Sequence, residues 1–347
     1  MKAKVLICSL NRKGAGPKLA LDLAKKLASR EIQTTLFFIE QSDVFNEASK
    51  EDSIDREIIS LPNYFSLISP WRFLKFHFAL RRLISKMNPD RIIFVMPHPW
   101  DMYITEKVPV IRVIHDITRK KGEGFWPTKC SLKARIKSND TLIALSEHVA
   151  QDIRKMNRQV IVADHPVLEF EKNQNITVQN SNQVLFIGRQ MKYKGGKLLA
   201  EAWPLVISQH PEAKLVVAGE GKIESSLYGL DNVEFINHWL SESEISILLA
   251  SSKVVVFPYS EASQSGMIFS AAASNAIVVG TPVGGIREQV KKVDGIIAAK
   301  SSPIEVANAI SMGFSKTAST MRFMQNNENS LDLVVFRLLQ PERRLNE

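Results

Sequence analysis

The chain has 347 residues, with 45 Lys+Arg against 36 Asp+Glu and two cysteines. That length exceeds one comfortable core and implies two domains of α/β size. Cys8 and Cys130 stand far apart, which argues against a disulfide scaffold or a structural zinc site and fits a reducing cytoplasm. No apolar run approaches the roughly eighteen residues of a spanning helix, and residues 1–16 read as a first strand rather than a signal peptide. All of the net charge of +9 lies in residues 1–170, which hold 28 basic and 19 acidic residues; the remainder has 17 of each. Such a one-sided excess points to a phosphate-bearing partner, an anionic lipid surface or a nucleic acid. A merely soluble basic domain is the competing reading.

Lys4–Ser9 forms a short apolar strand running into Asn11-Arg12-Lys13-Gly14-Ala15-Gly16-Pro17, and residues 18–30 carry Leu19, Leu23, Ala24 and Leu27 at helical spacing. Strand, glycine loop and helix open a βαβ unit, with the loop at the carboxyl end of the strand where ligands bind. The spacing is not G-x-G-x-x-G, and no Gly-Lys-Ser/Thr follows, so a dinucleotide fingerprint and a P-loop are both disfavoured. Residues 34–39 form the next strand, and 40–60 read as a polar, mobile segment. In 70–88, Trp71, Leu74 and Phe78 align, as do Phe73, Phe76, Leu80, Leu83 and Met87, with Arg72, Lys75, Arg82 and Lys86 opposite. A basic, aromatic-rich amphipathic helix suits a membrane interface; a helix covering a sheet has the same pattern. The strands 91–96 and Val110–Ile114 end in histidine-bearing loops, at His98 and at His115-Asp116. His115, directly after a buried strand, projects at the ligand edge of a sheet. The loop 119–124 is cationic. Thr141–Ala144 is a strand, and Ser146 caps the helix that follows. Asp164-His165-Pro166 reads as the exit from a first domain, and 171–182 as a linker.

The second half repeats the alternation. Strand 184–187 ends in Gly188-Arg189, a loop carries Lys194-Gly195-Gly196, and 197–205 is a helix. Arg189 and Lys194 together suit a diphosphate, one as a planar fork and the other as a point charge. Strands 215–218 and Val233–Ile236 follow, and Ser241-Glu242-Ser243-Glu244 opens a helix by capping logic. Val254–Phe257 and Ile277–Gly280 are buried strands flanking a small-residue helix that opens at Ser263-Gln264-Ser265-Gly266. Free N–H groups there favour an anion, and Gly266 lets a ligand approach the backbone; an ordinary N-cap is the competing reading. Gly284-Gly285 reads as a turn, an amphipathic helix starts at Pro303, and Leu331–Leu339 forms a last helix. Strand–helix alternation throughout predicts an α/β protein of two doubly wound parallel sheets. The expected divisions are a first domain over 1–168, a second over 169–318, and a tail over 319–347.

The ordered run Phe186-Ile187-Gly188-Arg189, Lys194-Gly195, Val217-Ala218-Gly219-Glu220-Gly221, Asn232-Val233-Glu234-Phe235, Phe257-Pro258-Tyr259, Gly266 and Thr281-Pro282-Val283-Gly284-Gly285 with Glu288 resembles the C-terminal domain of the glycosyltransferases group 1 family. These are the family 4 retaining enzymes of the GT-B fold, whose two domains face across a cleft. The resemblance covers about a third of the chain; the first half fits more loosely, through its glycine loop and His115-Asp116. It implies a UDP- or GDP-linked sugar as donor substrate, with no cofactor and no metal. Arg189, Lys194, Gly188 and the Glu261, Gln264, Ser265 and Gly266 loop would hold the donor, Gly14 and Gly16 would approach from the first domain, and His115 would sit near the transferred sugar. His115, Arg189 and Lys194 are the catalytic candidates.

The family usually has two glutamates eight positions apart; the matching positions here are Ser263 and Ala271. A Ser-Gln-Ser-Gly variant of this loop resembles polysaccharide-building members. The implied acceptor is a saccharide or lipid-linked saccharide at the inner face of the cell membrane, touched through the basic first domain; nucleic acid is not expected. An epimerase of the same architecture and a non-catalytic nucleotide-sugar-binding protein are the alternatives.

Overall fold

The structure, a computed structural model, describes residues 3–59, 70–96, 108–117, 136–168, 170, 182–317 and 328–340. His98, the 119–124 loop, Cys130 and all but Asn182 of the expected linker lie outside the described residues. The first sheet comprises β1 (Lys4–Ser9), β2 (Gln33–Ile39), β3 (Asp55–Ile59), β4 (Arg91–Phe94), β5 (Val110–Ile114), β6 (Thr141–Ala144) and β7 (Ile161–Val162), in the order β3-β2-β1-β4-β5-β6-β7. The second comprises β8 (Gln183–Ile187), β9 (Lys214–Ala218), β10 (Val233–Ile236), β11 (Val254–Phe257), β12 (Ile277–Gly280) and β13 (Ile296–Ile297), in the order β10-β9-β8-β11-β12-β13. Every pairing between neighbouring strands is parallel. Parallel sheets are covered on both faces, which is why β11 and β12 are continuous apolar runs with every residue buried. In each sheet the strand order reverses once, between β1 and β4 and between β8 and β11. The loops after β1 and β8 therefore open at the carboxyl edge beside a topological switch point, where open α/β sheets bind ligands.

The helices are α1 (Ala15–Ala28), α2 (Phe45–Lys50), α3 (Pro70–Met87), α4 (Glu147–Arg154), α5 (Gly196–Gln209), α6 (Glu242–Ala250), α7 (Met267–Ala273), α8 (Gly284–Lys292), α9 (Pro303–Ser315) and α10 (Leu331–Leu339). Three expectations are corrected. The segment 40–60 is not a mobile loop: it holds α2 and β3. Its polarity follows from position, because β3 is an edge strand and α2 buries only Ala48. The helix α1 starts three residues earlier than expected, at Ala15 with Gly14 as N-cap, since Pro17 is tolerated in a first turn. Gly284 and Gly285 are not a turn but the first residues of α8. A Cβ on Gly284 would lie 1.9 Å from the Ala262 carbonyl oxygen, and one on Gly285 1.9 Å from that of Ser263. The glycines thus let the start of α8 lie on the 262–263 backbone, where Gly285 N–H donates to Ala262 O at 3.1 Å.

Leu80, Leu83 and Ile84 of α3 are buried in one cluster with Phe37 and Phe94. Earlier on the same helix, Trp71, Leu74 and Phe78 are exposed, at 79%, 39% and 64%. The last helix crosses back: Leu331, Val334, Val335 and Leu339 of α10 share a core with Leu19, Leu23 and Leu27 of α1. Arg30 donates to Asp332 at 2.8 Å, which keeps the buried Asp332 carboxylate paired; burial works against its charge, but hydrogen bonds from Ser330 and Arg30 hold it below the usual range. No described helix is long and apolar enough to cross a membrane.

Candidate active site

The carboxyl edges of the two sheets face each other across a cleft of about 1510 Å³. Pockets for one small ligand are usually about 300–1,000 Å³, and this one exceeds that range. From the first sheet it is lined by Asn11, Lys13 and Gly14 after β1, by Asp43 and Glu47 after β2, and by His115 and Asp116 after β5. From the second come Gly188 and Arg189 after β8, Lys194, Glu220 after β9, Trp239 and Glu242 after β10, and Gln264, Ser265 and Gly266 after β11. Gly16 and Glu261 do not line it. Gly16 sits inside α1 against Met96, 3.0 Å from the Met96 sulfur to where its Cβ would be.

At the first switch point Gly14 has φ of 103°, and its N–H donates to Asp43 Oδ2 at 2.9 Å. Burial raises the Asp43 carboxyl above its ordinary range, against the pull of that bond and of Lys13. At the second, Gly188 has φ of 118°, and a Cβ there would lie 2.8 Å from Lys194 Nζ. The glycine is what lets the Lys194 ammonium into the site, where it donates to Tyr259 Oη at 2.8 Å. Arg189 is exposed and has no ion pair or hydrogen bond among the described residues. It is a cation with its donors unspent.

The loop before α7 departs from expectation in three places. Gly266 is the N-cap, as the competing reading has it, and the space above it is occupied: a Cβ would lie 2.8 Å from both Cε1 and Nε2 of His165. Close approach at Gly266 is therefore made by a protein side chain. The Ser265 N–H is also taken, donating to the buried Gln289 Oε1 at 2.7 Å. Ser263 turns away, its Oγ donating to Asp116 Oδ1 at 2.7 Å while its carbonyl accepts from Ser146 Oγ at 2.8 Å. The N–H groups of Gly266 and Met267 have no acceptor among the described residues. Ala271 is fully buried in α7 and reaches no ligand.

His115 lies on the cleft with both ring nitrogens engaged: Nε2 is 2.7 Å from Val95 O, and Gln264 Nε2 is 3.3 Å from Nδ1. With Nε2 donating to the carbonyl, Nδ1 is the acceptor and takes the Gln264 amide. Behind it, His165 is 1% exposed, donates from Nδ1 to Pro166 O at 2.8 Å, and leaves Nε2 without a partner. Burial, aided by nearby His115, pushes His165 down to about 3, so it is a neutral spacer between Gly266 and His115. His165, Gln289 and the Lys18–Glu47–Glu242 cluster were not singled out as site residues in the sequence. A histidine beside a proline at a domain exit carries no periodic signal, and partners up to 224 positions apart show none.

Two family models match in succession: Glycosyltransferase Family 4 over residues 17–165 and Glycosyl transferases group 1 over residues 181–314. The chain belongs to the group 1 glycosyltransferase family. Its sheets have the GT-B arrangement of a glycosyltransferase from Rickettsia africae, to which it is 18% identical over 97% of both chains with a TM-score of 0.72. Anabaena HepE, crystallised with UDP and glucose, is 17% identical over 97% of both chains at a TM-score of 0.69. WaaG, a glycosyltransferase involved in lipopolysaccharide biosynthesis, is 16% identical over 97% of this chain and all of its own, at 0.64. No curated protein sequence matches the chain. Arg189, Lys194, Gly266 and Met267 all line the cleft.

Proposed function

We propose that this glycosyltransferase moves a sugar from a UDP- or GDP-linked donor to a saccharide or lipid-linked saccharide, with retention of anomeric configuration and without a metal. The observation that carries the reading is Arg189, exposed and without a partner among the described residues, which lines the same cleft as Lys194, Gly266 and Met267. Preorganised donors aimed at developing charge are the largest single contribution an active site makes, and a nucleoside diphosphate is the leaving group that this set fits. The opposite wall is polar, with Asn11, Asp43, Asn46 and Glu47, groups that bind sugar hydroxyls. That HepE binds UDP-glucose supports a UDP-linked donor here. WaaG's part in lipopolysaccharide synthesis supports an acceptor in cell-surface polysaccharide assembly.

The exposed Trp71, Leu74 and Phe78, with exposed Arg81, Arg82 and Lys86 further along α3, suit insertion into an anionic bilayer at the cytoplasmic face. Anionic-vesicle sedimentation of the intact chain, compared with Trp71→Glu, tests that contact. The activity is tested with UDP- and GDP-sugars and saccharide or crude lipid acceptors, in the presence and absence of EDTA, reading the product anomer by NMR. Inverted product or EDTA-sensitive turnover overturns the mechanistic reading. Epimerised donor without any acceptor would instead match the UDP-GlcNAc 2-epimerase fold relative from Neisseria meningitidis, which is 13% identical at a TM-score of 0.62. UDP binding with no transfer to any acceptor would make the protein a non-catalytic binder.

A further inference from the structure

The loops after β8 and β11 meet at the carboxyl edge of the second sheet, where those two strands are neighbours. Their backbones are joined directly. The Ser260 N–H donates to Tyr193 O at 2.8 Å, and the Ser260 hydroxyl reaches the same oxygen at 3.2 Å. Gly195 lies so close to Pro258 that a Cβ would fall 1.7 Å from the Pro258 carbonyl oxygen. The buried rings of Tyr193 and Tyr259 stand edge-on, with centroids 6.1 Å apart. Lys194 therefore leaves a fixed turn, and its ammonium lies between Gly188 and Tyr259.

That ammonium is held by a neutral group. It donates to Tyr259 Oη at 2.8 Å and lies 4.9 Å from the centre of the same ring. No carboxylate pairs with it among the described residues. Lys18 on the opposite wall differs, being gripped by Glu47 at 3.0 Å and Glu242 at 3.1 Å. A carboxylate fixes a cation by cancelling its charge, whereas a phenol oxygen fixes it and leaves the charge whole. Tyr259 is itself well anchored: it is 2% exposed, and Thr281 Oγ1 donates to its carbonyl at 2.6 Å. Because its oxygen accepts from Lys194, the phenol hydrogen is left for Ser265 Oγ, 3.5 Å away. The Ser265 N–H is fixed in turn on the buried Gln289 at 2.7 Å.

We propose that Tyr259 is a positioning residue, which fixes the Lys194 ammonium on the cleft wall with its charge uncancelled. Lysine has a long stem with many rotamers, and ordering it at the moment of binding costs affinity. A stem already held spares the ligand that cost, and a cation already aimed needs no rearrangement as negative charge develops. Arg189, exposed and without a partner among the described residues, has no comparable support. That the anion is a nucleoside diphosphate rests on the proposed function; the grip on Lys194 does not.

The test compares Tyr259→Phe, which keeps the ring and removes only the hydroxyl, with Lys194→Met, which keeps an unbranched stem and removes the charge. Thermal melts confirm that each variant folds. In the ligand-free chain with isotope-labelled lysines, NMR should show a slowly exchanging ammonium signal that Lys194→Met deletes, and Tyr259→Phe should lose it too. Calorimetry with UDP then closes a double-mutant cycle. Tyr259→Phe should weaken UDP binding by roughly 2- to 12-fold when Lys194 is present, the worth of one hydrogen bond. In the Lys194→Met background the same change should cost less than about twofold. Absence of the ammonium signal from wild type, or its retention in Tyr259→Phe, overturns the positioning role. So does an equal loss of UDP affinity with and without Lys194, which would mean that the phenol touches the nucleotide itself. Wild type that binds neither UDP nor GDP counts against the proposed function, and the ammonium signal still decides the grip.

Discussion

Gly266→Ala separates two uses of one glycine. If the missing side chain serves ligand approach, alanine leaves the fold untouched and removes UDP binding. If it serves packing, alanine drives a methyl group into His165. The new Cβ would sit 2.8 Å from two atoms of that ring, where carbon contacts are comfortable at about 3.5–4.0 Å. The ring has little room to recede: it is 1% exposed, anchored through Nδ1 to Pro166 O, and stands edge-on to His115 with centroids 6.0 Å apart. Overpacking of this kind costs about 1–3 kcal/mol. At roughly 2–4 °C per kcal/mol for domains of this size, the melting temperature should fall by about 2–12 °C. Scanning calorimetry of the ligand-free protein is the assay, with a UDP titration alongside. An unchanged melting temperature refutes the packing argument, whatever happens to UDP.

Arg189→Gln should melt within about a degree of wild type, because an exposed side chain with no partner contributes little stability. Its UDP affinity should fall by about 10- to 150-fold, the worth of a charge-assisted hydrogen bond of roughly 1.5–3 kcal/mol; calorimetry giving equal affinity would remove Arg189 from the site. His165 has a folded pKa of about 3 against 6.5 in its ordinary state. Its burial therefore destabilises the fold only as pH drops below 6.5, by up to about 1.4 kcal/mol per unit, and costs nothing above it. NMR of the ring should show no titration near 6.5; a midpoint there contradicts a dry, neutral ring. Gly195→Ala combines a φ of 83° with a Cβ placed 1.7 Å from Pro258 O. A loss of about 2–5 kcal/mol in urea unfolding is expected, and a loss below about 1 kcal/mol would mean that the Pro258 backbone yields easily.

Much of the fold was legible because burial leaves a local trace. The runs in β8, β11 and β12 are apolar without interruption since parallel strands are covered on both faces, and Gly14 and Gly188 mark the two switch-point loops. Arg189 is visible in the sequence as a cation two positions past the end of a buried strand, but its exposure is not. β3 and α2 were hidden because an edge strand and a helix burying one alanine have no apolar pattern to show. The glycines at 266, 284 and 285 were visible as glycines but not as packing sites, since the neighbours that need the space are His165, Ala262 and Ser263. Ser263 stands where the family usually has a glutamate, and the bond from its hydroxyl to Asp116, 147 positions away, leaves no local trace. The meeting of Lys18 with Glu242 spans 224 positions and likewise has no local signal. Side-chain periodicity records which face of each element is buried, so the sequence by itself determined two parallel sheets and the loops at their ligand edges. Which loops meet across the cleft depends on how one sheet docks against the other, and only the tertiary structure decided that.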